Sequence, residues 1–138
     1  MRLSALADYA VVLMSAAARH CGGARTSAAQ LSEETGVPIA TAQKLVHALV
    51  RARLLRSVRG QGGGVQLARP AAAISLADII EAVEGPIAMT SCVREKAACG
   101  CAIELDCSVK PHWPVVNSAV RGALDGVSLA SLNAGVPA

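Results

Sequence analysis

Four of the five cysteines in this chain lie within sixteen residues, from Cys92 to Cys107. A disulfide framework would spread its cysteines through the fold, so this concentration predicts one local site. Thiolates bind soft metal centres, which in proteins are mainly Zn²⁺ and iron–sulfur clusters. The gaps between the four cysteines are six, one and five residues, unlike the paired C-x2–4-C knuckles of zinc sites. The spacing favours a loop around a cluster, with a zinc site and a thiol redox switch as alternatives.

The composition predicts a mostly helical domain in a reducing compartment. The chain has 138 residues with no Phe, one Trp and one Tyr, so its core must consist of Ala, Val, Leu and Ile. No run of about twenty apolar residues is present, and the N-terminal residues follow an amphipathic pattern instead of a signal peptide. We therefore expect a cytoplasmic protein without a membrane segment, in which free thiols persist.

The first half of the chain has the pattern of a helix-turn-helix. Apolar residues recur at helical spacing over residues 3–20. Ser27 begins an S-A-A-Q capping box, which predicts a short helix over 28–35 that ends at Gly36. Pro38 then suits the first turn of a helix over 38–53. Two helices separated by about two residues are typical of a helix-turn-helix.

The helix over 38–53 carries an apolar stripe and an opposite polar arc. Such an arc suits contact with base edges and phosphates in the major groove, although it is also what an ordinary solvated face looks like. The net charge of +3 permits nucleic acid without demonstrating it, but half of the arginines lie between Arg51 and Arg69. The candidate DNA contacts are Ser27, Thr41, Gln43, Lys44, His47, Arg51 and Arg59.

Residues 54–69 predict two short strands around a glycine-rich tip at Gly60 to Gly64, which is a β-hairpin wing. Arg59 lies at the edge of the tip, where a guanidinium could enter a minor groove or contact a phosphate. No Lys-Ser/Thr pair or helix follows the glycines, so they do not form a nucleotide-binding loop. A wing after a helix-turn-helix strengthens the interpretation that the chain binds DNA.

The remaining chain predicts two further helices on either side of the cysteines. Ser75 and Asp78 form a capping box for a helix that ends at Gly85, and Pro114 begins a helix with Trp113, Val116, Val120, Ala123 and Leu124 on one side. The fold class is mostly α: a winged helix-turn-helix with a two-stranded wing, a C-terminal cysteine loop and a dimerisation helix. The predicted domains are a DNA-binding domain (1–85), a cysteine-rich cluster-binding loop (86–112), and a dimerisation helix with a tail (113–138).

Four motifs carry a resemblance to a known family. They are M-R-L-S-x-x-x-D-Y-A-V at the start, L-x-R-S-V-R-G-Q-G-G-G-V-x-L-A-R-P in the wing, I-S-L-A-D-I-I-E-A-V-E-G-P-I-A-M-T-x-C after it, and C-A-I-E-L-D-C-x-V-K-x-x-W at the end of the cysteine loop. The chain resembles the bacterial iron–sulfur-sensing winged-helix regulators, which include the Isc-type regulator and the nitric-oxide-sensing repressor. Its motifs are most similar to those of the regulators of the Suf cluster-assembly operon. The resemblance covers nearly the whole chain.

The resemblance implies a set of cluster ligands. The three cysteines of the family fall on Cys92, Cys101 and Cys107, which leaves Cys99 as an extra thiol and a possible substitute. The fourth ligand departs from the pattern, because the histidine of the Isc-type regulator is replaced here by Lys110, which cannot bind a metal while protonated. The remaining candidates are His112, two residues further on, and Asp8, which resembles the carboxylate that the nitric-oxide sensor supplies from the partner subunit.

The resemblance also implies a mechanism. A homodimer would place its two helix-turn-helix units in adjacent major grooves of a palindromic operator on double-stranded DNA. An iron–sulfur cluster ([2Fe-2S] or [4Fe-4S]) would set the angle between them and so control transcription of iron–sulfur assembly or stress genes, with repression as the expected mode. No nucleophile or substrate-binding motif accompanies the cysteines, so we expect neither an enzyme nor a small-molecule substrate.

Overall fold

The computed structural model describes residues 1–20, 24–94 and 100–135. Its helices and strands follow the order predicted from the sequence. They are α1 (Ala5–Arg19), α2 (Ala28–Thr35), α3 (Ile39–Arg51), β1 (Leu55–Val58), β2 (Gly64–Leu67), α4 (Leu76–Glu84), α5 (Trp113–Asp125) and α6 (Leu129–Asn133). The predicted winged helix-turn-helix is confirmed. Within the described ranges, no helix has the length and hydropathy needed to cross a lipid bilayer.

The core of the winged domain is built from small and medium aliphatic side chains, as the lack of aromatic residues predicts. Helix α1 packs against α2, α3 and α4, and the buried stripe of α3 is the predicted one, Ala42, Leu45, Val46 and Leu49. Both predicted capping boxes form: the hydroxyl oxygen of Ser27 accepts from the Gln30 amide at 3.1 Å, and that of Ser75 accepts from the Asp78 amide at 3.0 Å. These caps satisfy amides that a helix start leaves without partners.

The wing is joined to the start of α2. Strands β1 and β2 pair in antiparallel register from Leu55↔Leu67 to Val58↔Gly64. The backbone of Val65 exchanges two hydrogen bonds with Thr26, at 3.0 and 2.7 Å. A β-carbon on Gly64 would collide with the carbonyl oxygen of Thr26, so this position requires glycine. The position of the wing is therefore fixed against the helix-turn-helix.

Helix α5 packs against α4 with a partly polar face. Asn117 is the buried residue of α5, with Val120, Arg121 and Leu124 partly buried around it. Of the five residues predicted to share one side of this helix, Val116 and Ala123 are exposed, and Trp113, Val120 and Leu124 are half-buried. The guanidinium of Arg121 pairs with Glu81 of α4, and the amide of Asn117 bonds to the segment that follows α4.

The short helix α6 returns to the winged domain. The burial of this part of the predicted tail was not expected: Leu129 is fully buried and lies in the same core cluster as Leu13 and Ile74. The backbone amide of Leu129 donates to the carbonyl oxygen of Ile74 at 2.8 Å, and the side chains of Ser15 and Asn133 are hydrogen-bonded. The last described helix thus packs on the first.

Candidate nucleic-acid interface and cysteine cavity

Helix α3 presents the predicted polar arc to solvent. Gln43, Lys44, His47 and Arg51 are exposed, whereas Thr41 is half-buried. No ion pair among the described residues involves Lys44, Arg51 or Arg59, so their charges are available to an anionic partner. Ser27 is half-buried at the start of α2, where its hydroxyl oxygen already accepts a hydrogen bond from the Gln30 amide.

Arg59 lies in the exposed turn between β1 and β2, as predicted. A second arginine, which sequence reasoning missed, supports the same turn. The guanidinium of Arg25 donates from Nη1 to the carbonyl oxygen of Gly62 at 3.1 Å. The sequence shows Arg25 as a basic residue two positions before the Ser27 cap. Its contact with the wing, however, depends on the pairing of Thr26 with Val65, which the sequence does not show.

Three of the predicted ligands line one cavity. Cys92, Cys101 and Cys107 contribute to the wall of a space of about 430 Å³, which is within the usual size range of ligand sites. The side chains of Ile103, Val109 and Trp113 complete its apolar lining. Cys92 and Cys107 are half-buried and Cys101 is exposed, and all three are free thiols. The sulfur of Cys92 lies 3.1 Å from the hydroxyl oxygen of Thr90. Cys99 lies outside the described residues.

The thiols share a cavity without converging on a point. Among residues 1–20, 24–94 and 100–135, no group of three His, Cys, Asp or Glu side chains is placed to hold a single metal ion. A mononuclear zinc site needs such convergence, because all of its ligands bind one atom. An iron–sulfur cluster, by contrast, would distribute these ligands over two or more irons, so they need not converge on one atom.

The other predicted ligands lie elsewhere in the chain. Asp8 is exposed in the first turn of α1, and His112 is exposed immediately before α5. Neither contributes to the wall of the cysteine cavity. Two residues that were not predicted as ligands do: Glu104 and Lys110, whose Oε1 and Nζ atoms form an ion pair at 2.9 Å.

A polar network joins the segment before Cys92 to α4 and α5. The side chain of Asn117 accepts from the Met89 amide at 2.8 Å and donates to the Ile87 carbonyl oxygen at 2.9 Å. Glu81 accepts from the Ile87 amide at 3.1 Å through Oε2. Its Oε1 accepts from Arg121 Nη2 at 2.7 Å and from Arg121 Nε at 3.0 Å. Hydrogen bonding to this carboxylate raises the pKa of Arg121. The segment that leads to the first cysteine is thus held from both sides.

The helix-turn-helix with its attached wing places this chain among the winged-helix DNA-binding regulators of transcription. More specifically, the chain belongs to the Rrf2 family: the family model, described as an iron-dependent transcriptional regulator, matches residues 3–135. The predicted resemblance to Isc-type regulators is confirmed, and so is the prediction of a transcriptional regulator instead of an enzyme.

Three relatives illustrate the range of the family. A putative HTH-type transcriptional regulator, ORF2, of Azotobacter vinelandii is 36% identical over 96% of this chain and 79% of its own length. The structure of T. potens IscR is 29% identical, with a TM-score of 0.73 over 96% of this chain and 85% of that one. The structure of CymR, the global cysteine regulator of B. subtilis, is 25% identical, with a TM-score of 0.76 over 99% of both chains.

Proposed function

We propose that this protein regulates transcription in response to an iron–sulfur cluster held by Cys92, Cys101 and Cys107. The observation that carries the proposal is that these three thiols line one largely apolar cavity at the start of α5. The donor set fits a cluster, because thiolates are its usual protein ligands and an apolar wall limits the access of water. When bound, the cluster would react with oxygen or nitric oxide, and it would be lost when iron is scarce.

The DNA is contacted by α3 and the wing of each subunit of a homodimer. Gln43, Lys44, His47 and Arg51 approach base edges and phosphates of the major groove, while Arg59 reaches the minor groove or its phosphates. In a two-fold dimer the two α3 helices read half-sites one helical turn apart, which requires a palindromic operator. The exposed valines of α5, Val115 and Val116, suit the contact between subunits.

The cluster acts through the segments that hold it. Cys92 follows Met89 by three residues, and the Met89 amide is bonded to Asn117 of α5. Glu81 extends the same network into α4, which packs against α3. A cluster that binds one arrangement of these segments more tightly shifts the population toward it, and with it the orientation of α3.

A thiol sensor is the second candidate function. It is favoured by the structural likeness to the cysteine regulator CymR and by the exposure of Cys101. In this case the regulatory event is oxidation of thiols in the cavity, without iron or sulfide. A zinc-holding version is less well supported, because no three of the described ligands converge as a single ion requires.

Oxygen-free purification of the full chain tests the two functions against each other. Iron, acid-labile sulfide and zinc are counted, and DNA affinity is measured with and without the cofactor, on a duplex selected from a random pool by either form. Equal iron and sulfide with a cofactor-dependent affinity supports the cluster sensor. A colourless protein whose DNA affinity changes only when its thiols are oxidised supports the thiol sensor. A cluster whose removal leaves DNA affinity unchanged would overturn the sensing role.

A further inference from the structure

The cysteine cavity contains one carboxylate among its described lining residues, and this is Glu104. We infer that Glu104 is the fourth protein ligand of the cluster, and that Lys110 positions its carboxylate. This inference rests on the proposed function, because it concerns the same site. It assigns a ligand that neither the cysteine spacing nor the resemblance identified.

Glu104 lines the cavity together with the thiols and lies between two of them in the sequence. It is three residues from both Cys101 and Cys107, and its backbone amide donates to the Cys101 carbonyl oxygen at 3.1 Å. This turn keeps Glu104 beside Cys101 at the cavity. Its side chain is only 24% exposed, whereas the neighbouring Asp106 is exposed and does not line the cavity. Among the described residues of its own chain, Glu104 is thus the carboxylate that a bound cluster would meet.

Lys110 explains why the ligand would move to position 104. In the Isc-type pattern this position carries the liganding histidine, and a protonated lysine cannot replace it. The Lys110 Nζ instead donates to Glu104 Oε1 at 2.9 Å. Carboxylates that bind metals are commonly oriented by a hydrogen bond to one oxygen, and a nearby cation offsets the negative charge of the ligand set. Glu104, positioned by Lys110, therefore takes the ligand role that the histidine has in the Isc-type pattern.

The chemistry of this ligand set suits a sensor. Three thiolates hold their irons firmly because sulfur is a soft donor, whereas a carboxylate oxygen is a hard and weaker donor in a sulfide cluster. The iron bound by Glu104 would then be the most easily lost or attacked. Such a ligand set would make the cluster respond to iron depletion or oxidants before the thiolates release it.

The test compares oxygen-free preparations of the full-length protein and four variants, reconstituted with Fe²⁺ and sulfide. Glu104→Gln removes the charge at constant size, Glu104→Asp keeps a carboxylate, and Lys110→Met removes the positioning cation. Asp106→Asn is the matched control, because it removes an exposed carboxylate from the same loop. Visible and resonance Raman spectra report the ligands, the rate of iron transfer to a chelator reports lability, and circular dichroism confirms folding.

We expect Glu104→Gln to change the cluster spectrum and to lose iron roughly tenfold faster than the unmodified protein. Lys110→Met should change both in the same direction by less, Glu104→Asp should restore much of the original spectrum, and Asp106→Asn should change nothing. A Glu104→Gln protein that matches Asp106→Asn in spectrum and chelation rate overturns the Glu104 assignment and leaves the cluster sensor intact. An unmodified protein that takes up neither iron nor sulfide overturns both.

Discussion

The DNA-reading surface and the cysteine loop are held in place by different means. The helix-turn-helix has a capping box at Ser27, buried leucines at positions 45 and 49 of α3, and a wing bonded to Thr26. The cysteine loop exposes large apolar side chains instead: Leu105 is 98% exposed, Ile103 61% and Val109 50%. Cys92 itself lies in a single 3₁₀ turn, Ser91–Val93.

This difference indicates where a cofactor would have its effect. Exposed apolar surface gains stability when something covers it, at about 25 cal/mol per Å² removed from water. The helix-turn-helix has less to gain, because the apolar stripe of α3 is already buried and Ile39 is its one large apolar side chain among those that the structure shows as exposed. We therefore expect the cofactor to order the cysteine loop, while the winged domain keeps its structure and changes only its orientation.

The largest expected effect is a loss of the cofactor from the cysteine loop without any change in the winged domain. Cys101→Ala should abolish the visible absorbance of the oxygen-free protein, because it removes one of three thiolate ligands, and should leave the helix content unchanged. Absorbance and circular dichroism of the same samples measure both. Cys21→Ala is the control, since it lies far along the sequence from the cysteine-rich stretch. Colour that survives in Cys101→Ala would contradict the ligand assignment.

The next effect concerns the core that the winged domain shares with α6. Leu129→Ala should lower the free energy of unfolding by about 2–5 kcal/mol, because it leaves a cavity in a fully buried site. Leu132→Ala, in the same helix but 40% exposed, should cost much less. Urea unfolding followed by circular dichroism measures both variants. Equal effects would show that α6 does not support the core.

A smaller effect is expected at the DNA-reading surface alone. Lys44→Ala and Arg59→Ala should each weaken operator binding by about 1–3 kcal/mol, because each removes an exposed cation that meets a base or a phosphate. Fluorescence anisotropy at two salt concentrations measures the loss. Arg19→Ala removes an exposed cation of α1 outside the predicted interface and should leave affinity nearly unchanged. Both variants should still load the cofactor; impaired loading would mean that the two regions are not separate.

The smallest effect is expected at the connection between the regions. Asn117→Ala should reduce the difference in DNA affinity between loaded and empty protein by about 0.5–2 kcal/mol, because it removes both bonds to the segment before Cys92. The exposed neighbour Ser118→Ala should preserve the difference. The DNA affinities of the loaded and the empty form of each variant measure this difference. An unchanged difference in Asn117→Ala would show that cofactor binding and DNA affinity are coupled through other residues.

The sequence was sufficient for the winged domain because its signals are local. Capping boxes, helical periodicity and a glycine-rich hairpin each depend on residues a few positions apart, and these elements were confirmed. The burial of Asn117 in α5 was not predicted, because this residue is polar and its partners Ile87 and Met89 lie about thirty residues away. Glu104 was overlooked for a similar reason. Its place on the cavity wall follows from the path of the loop and not from any spacing rule.

Helix α5 is bonded to the rest of the chain along its length and beyond its C-terminal end. Within the helix, Asn117 bonds to the segment that precedes Cys92 and Arg121 bonds to Glu81 of α4. After it, the amide of Leu76 donates to the Val127 carbonyl oxygen at 2.8 Å, and Leu129 lies in the core. Because α5 is joined to the winged domain at several points, we expect any rotation of α5 to move that domain, and α3 with it.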